Sequence, residues 1–145
     1  MNNALRSDPN FTLDARLASD TLPVATFALC ELRLMNDARF AWLVLVPRQA
    51  GLVEIADLDD ARQQILWHEV NRASAALRQV APCDKLNLGA LGNIVRQLHV
   101  HVVARTEGDA AWPGPVWGSG AAEPYAPPTR AARVDALRNA LGMAS

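Results

Sequence analysis

The order of the predicted elements indicates an α+β domain, in which helices pack against an antiparallel sheet. Runs rich in β-branched and aromatic residues, typical of strands, occupy residues 24–34, 40–47 and 94–105. An amphipathic helical pattern covers residues 58–80, and a shorter strand-like run, CDKLNLGALGN, follows it. With a short helix predicted near each end of the chain, the expected order of the central elements is β-β-α-β-β.

The first two strands are predicted to form a β-hairpin over residues 24–47. The connecting segment, MNDAR, contains an Asn-Asp pair, and both residue types favour turns. The second strand, FAWLVLVP, is almost entirely apolar and ends at Pro47. The second strand of the hairpin is therefore expected to be the more buried of the two.

The long helix is predicted to begin after Asp57, which is a good N-cap residue. Ile65, Leu66 and Val70 recur at helical spacing, and charged residues fill the opposite side. Pro82 prevents the helix from continuing. These features predict one long helix that covers the sheet.

The chain is expected to form a single domain over residues 1–145. Residues 1–22 are predicted to be an N-terminal arm with about two helical turns, and residues 24–105 the core. Residues 106–128 are dense in Gly, Pro and Trp, which predicts an irregular tail. A C-terminal helix is expected over residues 129–142, capped by Thr129 and closed by Gly142.

Composition excludes several classes of partner. The net charge is −1 and no block of basic residues stands out, which argues against a nucleic-acid tract or an anionic membrane as partner. No apolar run approaches the roughly 18 residues that span a bilayer. Two cysteines and no secretory leader favour a reducing compartment, so a cytoplasmic location is expected.

The run RQLHVHVVAR, residues 96–105, holds two of the three histidines. If the run is a strand, Gln97, His99 and His101 share one face, because side chains alternate along a strand. Leu98 and Val100 then lie on the opposite face, toward the core. A pair of imidazoles beside an amide on one sheet face requires a reason, since each ring has a donor and an acceptor to satisfy.

Three interpretations of the pair compete. The histidines are structural and hydrogen-bonded on an open face, or they bind zinc or iron with a third ligand such as His68 or Cys83. In the third interpretation, one imidazole attacks phosphorus and forms a covalent intermediate, while its neighbour supplies a hydrogen-bond donor. The metal interpretation lacks a second ligand pair at useful spacing, so the site is predicted to hold no metal.

The segment QLHVHVVAR resembles the signature of the histidine triad (HIT) family. Upstream, KLNLGALGNIV at residues 85–95 is similar to the segment that leads into the triad strand. The run LCELRLMNDARFAWLVLVPR at residues 29–48 is similar to the family's first hairpin. The overall pattern resembles a bacterial branch that is similar to diadenosine tetraphosphate hydrolases.

This resemblance implies a HIT-like fold, a five-stranded antiparallel sheet with flanking helices, joined into a continuous sheet across a homodimer. It also implies cleavage at the α-phosphate of nucleoside phosphoramidates, esters or dinucleoside polyphosphates through a nucleotidyl-histidine intermediate. A purine nucleotide is the expected ligand. No cofactor is implied, and any divalent cation is expected to accompany the polyphosphate, not the nucleophile.

Carried across by position, the resemblance implies that His99 is the nucleophile and that His101 contacts and polarises the phosphate. Gln97 occupies the place of the first triad histidine, and an amide cannot titrate near neutral pH. Its backbone carbonyl can still hold the second ring nitrogen of the nucleophile. The alternative is a nucleotide-binding or regulatory HIT protein with weak or no catalysis, because the first histidine is replaced.

Further positions are implied to bind the nucleotide or its phosphates. Asn87 matches a polar position near the α-phosphate or ribose, and Gly92 and Asn93 match a turn whose backbone N–H groups approach the phosphate. Asn36 lies near the ribose-binding position, although a hairpin turn explains it equally well. The tail tryptophans, 112 and 117, either stack on a base or, more in keeping with their type, anchor the irregular tail.

Overall fold

The described part of the chain forms one five-stranded antiparallel sheet with the two long helices on one face and a short N-terminal helix on the other. The computed structural model describes residue 5 and residues 7–143. Its elements, in chain order, are α1 (Ala15–Asp20), β1 (Thr21–Thr26), β2 (Cys30–Met35), β3 (Ala41–Pro47), a 3-10 turn (Ile55–Asp57), α2 (Asp60–Val80), β4 (Lys85–Gly89), β5 (Val100–Arg105) and α3 (Pro127–Ala140). The strand order across the sheet is β1-β2-β3-β5-β4. The predicted α+β class and five-stranded antiparallel sheet are confirmed.

Both faces of the sheet are buried, each against a different layer. One face packs on the two long helices, where Leu66, Leu77 and Leu137 are fully buried. Val100 and Val102 of β5 point into this layer, as the alternation in the sequence predicted. The second face carries a smaller cluster, covered by the N-terminal arm and the tail; its buried members are Leu17, Phe40, Trp42, Val44, Val46, Val103 and Val116.

The predicted first strand, residues 24–34, is in fact two strands. The chain turns at residues 27–29, so β1 pairs with β2 and β2 with β3. The sequence gives no sign of this turn because Phe27 and Leu29 are apolar and are buried in the core. Glu69 of α2 stabilises the turn, since its carboxylate accepts hydrogen bonds from the backbone N–H groups of Leu29 and Cys30, at 2.9 and 2.8 Å.

Glu69→Gln is expected to lower the free energy of unfolding by about 1–3 kcal/mol. The amide keeps a single acceptor oxygen, and its NH2 group would face a backbone N–H that then lacks a partner. Urea denaturation measures the change, with Glu107→Gln as the control because Glu107 is exposed. Equal denaturation midpoints for the two variants would contradict this role for Glu69.

Helix boundaries differ from the predicted ones at two N-termini. Helix α2 is capped by Asp59, whose carboxylate accepts from Arg62 N, whereas Asp57 closes the preceding 3-10 turn. Helix α3 begins at Pro127 with Ala126 as its cap residue, so Thr129 lies inside the helix. Proline is tolerated in the first turn of a helix, because the backbone N–H that it lacks would have no acceptor within the helix there.

The last predicted strand, residues 94–105, is also shorter than expected. Regular pairing starts only at Val100, so Gln97 and His99 precede β5. The tail at residues 106–126 has no helix or strand, in agreement with its composition. Of the predicted arm, residues 1–4 and 6 lie outside the described residues, and the remainder contains α1 and the start of β1. The arm and tail meet over the second face of the sheet and form its cleft.

Candidate active site

A cleft of about 510 Å³ opens on the second face of the sheet. Its walls come from helix α1, from the loop between β4 and β5, and from the tail. Both histidines of the HVH motif lie on its floor, with their ring centroids 4.8 Å apart. They are almost fully buried, with exposed fractions of 7% for His99 and 5% for His101. The structure thus brings the two predicted histidines together in a pocket.

Hydrogen bonding defines the tautomer of His99. Its Nδ1 lies 2.7 Å from the backbone oxygen of Gln97. A carbonyl oxygen only accepts, so Nδ1 of a neutral ring carries the proton and donates it. The lone pair is then on Nε2, the ring nitrogen left for a substrate. His99 therefore has the form that a nucleophilic imidazole requires, and the carbonyl that holds it comes from the position predicted.

His101 is held in the opposite tautomer. The indole N–H of Trp42, on the neighbouring strand β3, donates to Nδ1 of His101 at 2.9 Å. An indole nitrogen only donates, so Nδ1 of His101 is unprotonated and the proton of the neutral ring is on Nε2. The pair thus offers a lone pair on one ring and an N–H donor on the next. An attacking atom and a donor for the developing charge are the two elements that phosphoryl displacement needs.

The sequence comparisons identify the family. A family model described as the HIT domain matches residues 17–108. The chain belongs to the histidine triad (HIT) family. Members of this HIT family are generally nucleotide hydrolases or transferases, and membership supports that general class of activity for this chain. No match was found among curated proteins.

Three solved HIT structures are closely similar to this chain. A histidine triad protein from Sinorhizobium meliloti is 48% identical with a TM-score of 0.88, and the match covers 90% of this chain and 96% of that one. One from Bradyrhizobium japonicum is 44% identical with a TM-score of 0.89, covering 92% and 99%. One from Marinobacter aquaeolei is 42% identical with a TM-score of 0.88, covering 91% and 96%. The HIT fold is thereby established over nearly the whole chain.

His101 lies in a low-polarity environment that keeps it neutral. Burial, and to a lesser extent the proximity of a second imidazole at His99, lowers the pKa of His101 from 6.5 to about 3. The bond from Trp42 acts in the same direction, because a protonated Nδ1 would meet another donor. In this structure His101 is therefore a neutral ring that presents its Nε2–H as a hydrogen-bond donor.

This low pKa predicts an acid-sensitive fold. Between about pH 6.5 and pH 3 the unfolded chain binds a proton at His101 that the folded chain does not. The free energy of unfolding therefore decreases as the pH is lowered through that window. Well below pH 6.5, each further unit of pH is expected to lower the free energy of unfolding by about 1.4 kcal/mol. Urea denaturation against pH measures it, and His101→Gln is expected to flatten the dependence. An unchanged slope in His101→Gln would contradict this assignment.

Aromatic rings enclose His101 on two sides. Trp42 and Trp117 lie with their ring centroids 5.6 and 5.4 Å from His101, and the two indoles meet edge to face. Gly89, which pairs with His101, lets Trp117 approach, because a Cβ there would stand 3.1 Å from the indole. Trp112 lies elsewhere, over the guanidinium of Arg105. Of the two tail tryptophans, the second belongs to the cleft.

The predicted phosphate loop borders the cleft. Gly92 and Asn93 both line it, next to the histidines. Gly92 has a φ of +71°, a backbone conformation that favours glycine, whereas the space around its Cβ position is ordinary. The positive φ of this turn is by itself a reason for glycine at position 92.

Two predicted binding residues are engaged with the protein instead. The amide oxygen of Asn87 accepts from Arg105 at 2.9 Å, and that of Asn36 accepts from the backbone N–H of Tyr125 at 3.0 Å. Neither residue lines the cleft. Arg105 also forms two bonds to Asp109, so these contacts fix the tail against the sheet. In this structure both asparagines are tail anchors.

Several cleft residues had no signal in the sequence. Asp37 and Arg39, which follow β2, form a nearly buried ion pair at 2.8 Å, and Arg39 also donates to Ser119 O of the tail. Trp42 reaches His101 only through the pairing of β3 with β5. Leu17 lies on α1, where about two helical turns were predicted, but nothing in the sequence marked it as a residue of the cleft. The bonds from Arg39 to Ser119 and from Trp42 to His101 join segments that are distant in the chain.

Metal ligands and membrane helices can be considered only for the described residues. Among residues 5 and 7–143, no group of three or more histidine, cysteine or acidic side chains is placed to hold a metal ion. No helix in that part of the chain is both long and apolar enough to cross a bilayer. Both cysteines there are free thiols.

Proposed function

We propose that this HIT protein is a nucleotide hydrolase or nucleotidyl transferase that acts at the α-phosphate through a nucleotidyl-His99 intermediate. One observation carries the proposal: the two neighbouring rings are held in complementary tautomers, one by a carbonyl and one by an indole N–H. Nε2 of His99 attacks phosphorus and the leaving group departs with its bonding electrons. Nε2–H of His101 donates to a phosphate oxygen, where charge develops. Water, or another acceptor, then takes the nucleotidyl group.

The cleft fits a nucleotide on its apolar side as well. Met35 and Trp117, which line the cleft and are partly exposed, provide apolar surfaces on which a base can lie. We propose a purine nucleotide, because its two-ring base buries more of this surface. Calorimetry with AMP and with CMP tests the preference, and tighter binding of CMP would contradict it.

Leaving groups that are stable as anions are expected to be favoured. The cleft carboxylates of Asp20 and Asp37 pair with Arg16 and Arg39, and His101 is not an acid, so none of these groups supplies a proton to the departing atom. A phosphate leaves without a proton, but an amine does not. We therefore expect kcat/KM for a dinucleoside polyphosphate to exceed that for adenosine phosphoramidate by about 10²-fold or more, the usual worth of a general acid.

Initial rates on the dinucleoside polyphosphate and on adenosine phosphoramidate, measured with and without Mg²⁺, test the expected preference for the polyphosphate. A phosphoramidate that is hydrolysed as fast as the polyphosphate would contradict this preference.

We propose that the protein has no resident cofactor and that a divalent cation enters with the polyphosphate. Chelation is then expected to slow the polyphosphate reaction and to leave phosphoramidate turnover unchanged.

The alternative function is nucleotide binding without useful catalysis, and the replacement at Gln97 is the feature that favours it. Calorimetry separates the two functions: tight binding of a dinucleoside polyphosphate that stays unhydrolysed over hours would support the alternative.

For either function we propose a cytoplasmic protein, in keeping with its two free cysteines.

We propose a homodimer whose two sheets join at strand β4. This strand is an edge of the sheet, and an open edge offers unpaired backbone groups to a second copy. Leu88 on β4 and the nearby Leu91 and Ile94 are exposed to between 45% and 74%, so a second copy at this edge would cover apolar side chains. Sedimentation of wild type and Leu88→Lys tests the interface: the wild type is expected to sediment as a dimer and the variant as a monomer.

A further inference from the structure

The side chain of Gln97 contacts the N-terminal arm and not the cleft. Its amide oxygen accepts from the backbone N–H of Asp14 at 2.8 Å, and its NH2 group donates to the backbone oxygen of Thr12 at 2.9 Å. Both polar ends of the amide are thus bonded, each in the orientation that puts a donor opposite an acceptor. Gln97 is absent from the residues that line the cleft beside the two histidines.

This pair of bonds requires an amide. The donor and acceptor of a primary amide lie side by side, and they match the C=O of one residue and the N–H of the residue two positions later on an extended chain. The two nitrogens of an imidazole point in different directions from the ring, so a histidine at this position can satisfy one of the arm's groups at most. A glutamine in place of the first triad histidine therefore has a structural use of its own.

Asp14 connects the side chain of Gln97 to helix α1, which forms one wall of the cleft. Its carboxylate caps helix α1, accepting from the N–H groups of Arg16 and Leu17 at 2.8 and 3.4 Å. Leu17 is buried in the second-face cluster, and Arg16, Leu17 and Asp20 all form one wall of the cleft. The bond from Gln97 thus joins the arm immediately before the helix that forms this wall.

We propose that Gln97 is a positioning residue that fastens the N-terminal arm and so fixes the α1 wall of the nucleotide cleft. The catalytic pair is then His99 and His101 alone, and position 97 serves catalysis through its backbone carbonyl. The role in nucleotide binding rests on the proposed function, whereas the fastening of the arm does not. Since Phe11 and Leu13 also pack on the second-face cluster, loss of the amide loosens the arm without releasing it.

The test compares Gln97→His, Gln97→Met and Gln97→Glu with the wild type and with Gln64→Met, an exposed glutamine on α2 as the control. All three variants keep the backbone carbonyl that holds His99. Amide hydrogen exchange of residues 11–20 reports on the arm. Steady-state kinetics, or calorimetry with AMP, reports on the cleft.

We expect Gln97→His and Gln97→Met to speed exchange in the arm about tenfold or more, the effect of losing two hydrogen bonds, while the central strands stay protected. KM for the nucleotide should rise several-fold with a smaller change in kcat. Gln97→Glu keeps the acceptor for Asp14 but loses the donor to Thr12, so its effects should be intermediate. The control should match the wild type.

A rise in kcat in Gln97→His, with the exchange of the arm unchanged, would overturn the proposal, because it would show an impaired triad repaired by the missing histidine. Unchanged exchange in Gln97→Met would overturn it as well. If the wild type neither hydrolyses nor binds nucleotides, the proposed function fails, and the exchange of the arm still decides whether Gln97 fastens it.

Discussion

His99→Ala is expected to lower nucleotide turnover by about 10⁴-fold or more, the usual scale for loss of a nucleophile. In the proposed mechanism the lone pair on Nε2 of His99 forms the bond to phosphorus, and water in its place lacks both the position and the nucleophilicity. Single-turnover and steady-state rates on a dinucleoside polyphosphate measure the loss. Affinity for AMP should change far less, because the walls of the cleft remain.

His68→Ala is the matched control for this substitution. His68 is exposed on helix α2, away from the cleft, so its removal should leave turnover at the wild-type level. Retention of more than a few per cent of the wild-type rate by His99→Ala would exclude His99 as the nucleophile. Loss of AMP binding together with activity would instead indicate that His99 serves mainly to bind the nucleotide.

His101→Ala is expected to lower kcat about 10²–10³-fold, the cost of removing one preorganised donor to a developing oxyanion. His101→Gln should lose less, since an amide N–H can replace part of the donation. The rate should show no titration of His101 at neutral pH, because burial holds its pKa near 3. A rate limb near neutral pH that disappears in His101→Gln would mean that this residue acts as an acid.

Trp42→Phe tests how His101 is held. Without the indole N–H, Nδ1 of His101 has no protein donor and the ring can change tautomer. We expect a kcat loss of roughly fivefold, as for one hydrogen bond, with little change in KM. A loss confined to KM would instead mean that Trp42 serves nucleotide binding and not the orientation of His101.

Much of this site was predictable because it lies in one short segment. The pairing of His99 with His101 follows from a two-residue repeat, and the resemblance of the segment to HIT proteins assigned the carbonyl of Gln97 its role. The long helix and the apolar strand β3 were equally visible as periodic patterns. In each case the information is local in the chain, where alternation and helical spacing are reliable guides.

The parts that were missed depend on contacts between distant segments. The β1–β2 turn is apolar and is stabilised by Glu69, about 40 positions away. Trp42 meets His101 across 59 positions, and Gln97 meets Asp14 across 83. No residue pattern indicates that the N-terminal arm folds back onto the side chain of Gln97. These contacts form only when the folded sheet brings the distant segments together, so a local sequence pattern does not indicate them.

The stereochemical course at phosphorus tests the nucleotidyl-His99 intermediate most directly. A dinucleoside polyphosphate made chiral with sulfur and an oxygen isotope at the α-phosphorus is hydrolysed in isotopic water, and the configuration of the product is determined. Attack by His99 followed by attack of water inverts the phosphorus twice, so the account predicts net retention. Net inversion would show that water attacks directly, and it would contradict the proposal that His99 forms a covalent intermediate.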